Sequence, residues 1–234
     1  MSNKPLERRI ALVTGASRGL GYALARELGV QGAHVLALAR TVGGLEELDE
    51  EIQSAGGSAT LIPLDLTDDP ALERMGAALH ERWGRLDLWA HTAISAPPLS
   101  TVEHIDAKDL EKALSINIQV VQRLIRVLDP LLRHSDAGRV LHFADIEDGP
   151  RPYHGSYLAG KAATGVLFSS WKHTLEAVSK AQVIEVRVPP MPTALRLRFH
   201  PGEDPGNLTK PSVIAQRLVP ELSKDLHGTI DLRD

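Results

Sequence analysis

The stretch "LVTGASRGLGYALARELG", Leu12 to Gly29, decides the fold. The apolar run "RIALVT" (9–14) leads into a turn holding Gly15, Gly19 and Gly21, and that turn opens a segment of helical period, 19–31. Glycine between a strand and a helix lets backbone N–H groups and the positive helix end face a phosphate. A side chain at Gly15 or Gly19 would block such an approach. The alternative is a glycine-rich turn that binds nothing, but the strand-then-helix setting favours a dinucleotide. Thr14, Gly15, Ser17, Arg18, Gly19, Leu20 and Gly21 are therefore candidate cofactor-binding residues.

Further along, the strand-like runs "HVLALA" (34–39), "ATLIPL" (59–64), "LDLWAHT" (86–92), "RVLHFA" (139–144) and "QVIEVRV" (182–188) repeat the pattern. Amphipathic segments near 43–55, 69–83, 106–134 and 156–180 separate them. Strands apolar on both faces and alternating with helices predict a parallel sheet covered on both sides. The fold class is α/β: a single-domain, Rossmann-type, doubly wound parallel sheet over residues 1–234. One irregular stretch, "PPMPTALRLRFHPGEDPGNLTKP" (189–211), has too many prolines and glycines for one helix. A loop that long in a compact domain is usually functional, and it is read as the substrate loop. A helix over 211–222 and a short strand near "GTIDLR" close the chain.

Composition narrows the function. A formal charge of -4 argues against a non-specific nucleic-acid binder. No apolar run reaches the length of a membrane span, and the first residues are followed by charge rather than by a signal-peptide core. With no cysteine, disulfides and thiolate chemistry are excluded, and the expected location is the cytoplasm. The ten histidines show no paired ligand spacing, so no metal site is expected.

The end of the second strand chooses between cofactors. An acidic residue there would bond the ribose hydroxyls of NAD. This chain has Ala39-Arg40, with Arg18 inside the glycine turn. Two guanidinium groups suit a 2′-phosphate, which favours NADP (NADPH) over NAD. After the third strand, in "PLDLTD", Asp65 could accept from the adenine amino group or simply cap the next helix; Leu66 follows it.

Tyr157 and Lys161 are four apart on a predicted helix and share a face. Free tyrosine, with a pKa near ~10, is a poor base at neutral pH. A neighbouring ammonium favours the phenolate, and in a reduction the neutral phenol would give its proton to a developing alkoxide.

These motifs, T-G-x-x-x-G-x-G from Thr14 to Gly21, Asp65, and Tyr157-x-x-x-Lys161, stand in the order and spacing of the short-chain dehydrogenase/reductase family, which the chain resembles from about residue 8 to its end. The resemblance implies a seven-stranded sheet and NAD(P)-dependent hydride transfer to or from a small-molecule carbonyl or alcohol. It also implies a homodimer or homotetramer built on the helices here at 106–134 and 156–180, and "GVLFSSW" (165–171) carries more bulk than one side of a sheet needs. By resemblance, Lys161 also holds the nicotinamide ribose, and Asn117 in "LSINIQ" helps to hold a water chain behind the lysine. Ala93 is kept at a cofactor-binding position, and Thr193 is a further cofactor-binding candidate.

Three departures bear on activity. The family's N-N-A-G after the fourth strand reads His91-Thr92-Ala93-Ile94. Its Pro-Gly after the sixth reads Pro189-Pro190, with Thr193 one residue early. Its substrate-orienting serine is replaced: counting from Gly138 gives Asp145, and counting back from Tyr157 gives Ala144. An ionised Asp145 cannot donate to a carbonyl, whereas a buried, protonated one can. Two readings follow: an NADP-dependent oxidoreductase weakened or altered in specificity, or a cofactor-binding protein without turnover that serves as a sensor or assembly partner. Arg196, Arg198 and His200 in the substrate loop suit an anionic group or merely a solvated basic surface.

Overall fold

Seven parallel strands form one sheet in the order β3-β2-β1-β4-β5-β6-β7 in the computed structural model, which describes residues 4–144, 151–224 and 228–233. The chain runs β1 (Ile10–Thr14), α1 (Gly19–Val30), β2 (His34–Ala39), α2 (Val42–Ser54), β3 (Ser58–Pro63), α3 (Asp69–Trp83) and β4 (Leu88–His91). It continues through α4 (Ala107–Leu114), α5 (Val120–Arg133), β5 (Arg139–Ala144), α6 (Gly155–Val178), β6 (Gln182–Arg187), α7 (Ala194–Phe199), α8 (Pro211–Glu221) and β7 (Thr229–Asp231). After β3 at one edge, the chain returns to place β4 on the other side of β1. That reversal opens a crevice at the carboxyl ends of β1 and β4, where ligands of this architecture bind.

The sheet is sealed on both faces because its strands alternate two sets of apolar side chains. Along β1, Ala11 and Val13 join the core under α1, α2 and α8, with Leu24, Leu28, Leu48, Ile52 and Leu218. Ile10 and Leu12 join the opposite core under α3, α5 and α6, with Leu72, Leu124, Leu128, Phe168 and Leu175. At the far end of the sheet from the crevice, the buried Asp87 carboxylate accepts from the Ile10 backbone N–H at 2.9 Å and the Ser135 hydroxyl at 2.6 Å. It also pairs with Arg9 and Arg85. Four donor groups on one carboxylate lock the starts of β1, β4 and β5 together.

Two expected segments are subdivided. The amphipathic stretch 106–134 is α4 and α5 joined through a wider π-type turn, Ser115–Gln119, which contains Asn117. Such turns often sit at functional sites. The irregular stretch 189–211 contains α7 and a short 3-10 turn, Pro205–Asn207. Among the described residues no helix is long and apolar enough to cross a membrane, and no three potential ligand side chains cluster as a metal site.

Candidate active site

The glycine turn sits at the mouth of the crevice, and its three glycines answer different demands. Gly15 (φ +86°) and Gly19 (φ +60°) are in the left-handed region that only glycine enters freely. A Cβ at Gly15 would lie 2.9 Å from the Ala93 backbone N and the Thr92 hydroxyl, and one at Gly21 would lie 2.3 Å from the Gly15 carbonyl and Thr92 Oγ1. These two positions are therefore also needed for packing the turn onto the end of β4. Gly19 is the open one: a Cβ there would meet only Thr193 Cγ2, at 3.6 Å.

The turn fits a phosphate chemically. α1 begins at Gly19, its N-cap Arg18 makes no side-chain capping bond, and the first intrahelical bond runs from the Tyr22 N–H to the Arg18 carbonyl. The N–H groups of Gly19, Leu20 and Gly21 thus have no acceptor within the helix, as an anion cradle requires. Ser17 lines the same turn, where a Cβ at Gly44 would come 2.7 Å from its carbonyl; Gly44 is missed in the sequence. The Thr14 side chain faces inward, with Oγ1 2.9 Å from His91 Nδ1, while its carbonyl accepts from Thr92 Oγ1 at 2.7 Å.

Arg18 and Arg40 are both exposed beside this turn. Arg40 lies 4.0 Å from Asp65, whose other oxygen accepts from the Thr67 N–H at 2.9 Å and the Thr67 hydroxyl at 2.7 Å. Those two bonds hold the Asp65 carboxyl below the usual carboxylate range, assisted by Arg40. The helix-capping role left open for Asp65 belongs to Asp68, which accepts from the Ala71 N–H. Leu66 is buried against the α3 side of the core, and Ala93 is half-buried behind the glycine turn.

On the other side of the crevice, α6 carries Tyr157, 5% exposed, and Lys161, whose Nζ donates to the Phe143 carbonyl at the end of β5. Asn117 is buried and its amide is fully engaged: Oδ1 accepts from the Ser95 N–H and Nδ2 donates to the Ser95 carbonyl, each at 2.8 Å. Its backbone carbonyl accepts from Thr164 Oγ1. A Cβ at Gly160 would stand 2.7 Å from Asn117 Nδ2, so α6 approaches this turn at backbone distance. Ala144 ends β5 opposite Arg187, and Asp145 lies outside the described residues. Ser156 is buried beside Tyr157.

Behind Lys161 lie two imidazoles in register on neighbouring strands, His91 on β4 and His142 on β5. Phe168 stacks on His142 at 4.7 Å between ring centroids. Burial, helped by the Lys161 ammonium, pushes both histidines down to about 3, so both stay neutral.

A roof covers the site. Thr193 caps α7, accepting from the Arg196 N–H, and Phe199 sets its ring edge-on to Tyr157 and to His154, 5.1 Å from each. Arg198 donates to the Pro97 carbonyl, and Arg196 makes a two-bond pair with Glu203. The pair absorbs much of the positive charge that the loop offers an anion, and it holds the Glu203 carboxyl below its usual range.

The family profile described as short chain dehydrogenase matches residues 9–202. The chain belongs to that family. This short chain dehydrogenase superposes on a Shigella flexneri short chain dehydrogenase complexed with NADP, with a TM-score of 0.90, 26% identity, and coverage of 98% of this chain and 99% of that one. An Escherichia coli short chain dehydrogenase complexed with NADPH matches with a TM-score of 0.90, 26% identity and 99% coverage of both chains. Among curated relatives, the 2,3-dihydro-2,3-dihydroxybenzoate dehydrogenase of Bacillus subtilis is 28% identical over 170 residues, 72% of this chain and 64% of that protein. The fatty acyl-CoA reductase of Acinetobacter baylyi is 31% identical over 159 residues, 66% of this chain and 53% of that protein. The chain thus matches between about half and two thirds of the length of these relatives.

Several site residues of this short chain dehydrogenase escape sequence reasoning. Thr92, Ser95 and Phe199 owe their places to contacts between elements far apart in the chain. His154 carries a usable signal, its position one helical turn before Tyr157.

Proposed function

We propose that the protein is an NADP-dependent oxidoreductase of the cytoplasm that interconverts a small carbonyl compound and its alcohol, with Tyr157 as acid and base. The observation that supports this reading most is that α6 carries Tyr157 and Lys161 on one face, with Lys161 tied to the end of β5, while the turn after β1 leaves Gly19 open. The two NADP-bearing neighbours of the same fold support the choice of cofactor class. In the reading, the N–H groups of Gly19, Leu20 and Gly21 hold the pyrophosphate, Arg18 and Arg40 the 2′-phosphate and Asp65 the adenine. Lys161 holds the nicotinamide ribose, with Ala93 and Thr193 alongside the nicotinamide half. When bound, the nicotinamide supplies or accepts the hydride. Tyr157 donates the proton to the substrate oxygen, and the Lys161 ammonium, oriented by the Phe143 carbonyl, favours the resulting phenolate.

The cofactor choice is tested at Arg40. NADPH should bind more tightly than NADH, and Arg40→Asp should reverse the order, because a carboxylate repels the 2′-phosphate and accepts from ribose hydroxyls. Fluorescence titration reads both constants; equal affinities in the parent protein would defeat this assignment. A second reading, binding without turnover, is favoured by the engagement of both Asn117 amide atoms with Ser95 and by the replaced serine. A broad panel of aldehydes and ketones with NADPH separates the two, since NADPH oxidation above background settles for the enzyme.

The protein is further proposed to be a homodimer or homotetramer through the outer faces of α4, α5 and α6. Val166 and Val178 on α6 are 68% and 62% exposed, and Leu114 on α4 is 40% exposed. Light scattering at micromolar concentration should give a multiple of 25.4 kDa, and a monomer would remove the proposal.

A further inference from the structure

His154 stands at the N-cap of α6, one turn from Tyr157, and is 8% exposed. Its Nδ1 lies 2.7 Å from the Pro152 carbonyl, which can only accept, so Nδ1 carries the hydrogen. In the neutral ring Nε2 then presents a lone pair. That nitrogen is buried and has no hydrogen-bond partner among the described residues. Buried polar atoms are nearly always satisfied, and one left empty points to a missing partner. The ring borders the candidate active site: Phe199 packs at a steep angle against the His154 and Tyr157 rings alike, 5.1 Å from each, and His200 stacks on His154 at 6.0 Å. The backbone also holds the ring on purpose: Tyr153, immediately before it, has φ +65°, a conformation costly for an aromatic residue, and its carbonyl accepts from the Ser100 N–H.

We propose that His154 is a specificity-determining residue whose Nε2 accepts a hydrogen bond from a hydroxyl close to the reacting carbonyl, so that the substrates are hydroxyketones or hydroxyaldehydes. This deepens the oxidoreductase reading and rests on Tyr157 being the group that meets the carbonyl. A simple ketone fills the same space and leaves the buried acceptor empty, which is the basis of discrimination by a polar site.

The test compares hydroxyacetone with methoxyacetone and 4-hydroxy-2-butanone with 4-methoxy-2-butanone, pairs that differ in the O–H. Binding is read as the rise in melting temperature of the protein–NADP+ complex, which has no hydride to give the ketone, and turnover as kcat/KM with NADPH. The parent should favour the hydroxy member of at least one pair by about tenfold. His154→Phe, which keeps an aromatic ring but has no acceptor, should lose that preference, and His154→Gln should keep part of it. His154→Leu replaces the Phe variant if the latter does not melt cooperatively. A parent without hydroxyl preference in either pair, or a preference that survives in the Phe or Leu variant, overturns the proposal. A binding preference without turnover supports the role of His154 while defeating the oxidoreductase reading, and turnover without preference does the reverse.

Discussion

Tyr157→Phe is expected to remove carbonyl reduction while leaving NADPH affinity within about twofold. The substitution deletes one hydroxyl and nothing else: the ring edge against Phe199 stays, and so does the bond from Lys161 to the Phe143 carbonyl. A positioned general acid contributes about 10²–10⁴ in rate, so the loss should take turnover to the background of the assay. NADPH affinity is the necessary control, because Lys161 and the glycine turn, which hold the cofactor in the proposed reading, are untouched. Initial rates with the best ketone of a panel and a fluorescence titration of NADPH decide it. A variant that turns over at a tenth of the parent rate or better would hand the proton transfer to some other group.

The second large effect is on stability in acid. His91 and His142 keep values of about 3 in the folded protein because charging either would bury a cation beside the Lys161 ammonium. In the unfolded chain both take up protons near their ordinary value of about 6.5. Between those limits the unfolded state binds more protons than the folded one, so stability is fully present above the upper limit and falls as the pH falls below it. At pH 5 the two groups together should cost about 4 kcal/mol, a large part of the stability of an ordinary domain. Urea unfolding at pH 7.5 and pH 5 measures the difference, to which His34 and His200, also lowered by burial, add in the same direction. Equal midpoints would show that these imidazoles are hydrated or paired rather than buried neutral. The carboxyl groups of Asp65, Glu203 and Asp231 are shifted below the carboxylate range and act at lower pH, so they do not confuse the comparison. Rate measurements of the reduction are therefore best read above about pH 7, where the two histidines no longer cost the fold stability.

Much of the fold was open to reading because local and global signals coincide. The central strands β1 and β2 are nearly unbroken apolar runs, as a sheet covered on both faces demands, and the glycine turn sits where strand meets helix. The proposed site was legible where its residues share one element, as Tyr157 and Lys161 do on α6. It was not legible where function depends on long-range packing. Nothing around Asn117 says that its amide would be taken up by Ser95, 22 residues away, since a side-chain amide bonds whatever backbone the fold brings near. Nor does the punctuated stretch 189–211 announce that Phe199 would lie on Tyr157, because a six-residue helix carries too short a period to show a face.

The seating of Phe199 on Tyr157 also has a thermodynamic side. If the ketone of the proposed reaction meets Tyr157, a residue 5% exposed with Phe199 against its ring, α7 would have to swing aside to admit it. The apparent dissociation constant is then the intrinsic one divided by the open fraction, so if about one molecule in ten is open, binding is about tenfold weaker than the contacts alone would give. That fraction is governed by the fastenings of α7, the Arg198 bond to the Pro97 carbonyl and the Arg196 pair with Glu203. On that reading, substrate affinity would be adjustable from residues that never touch the substrate.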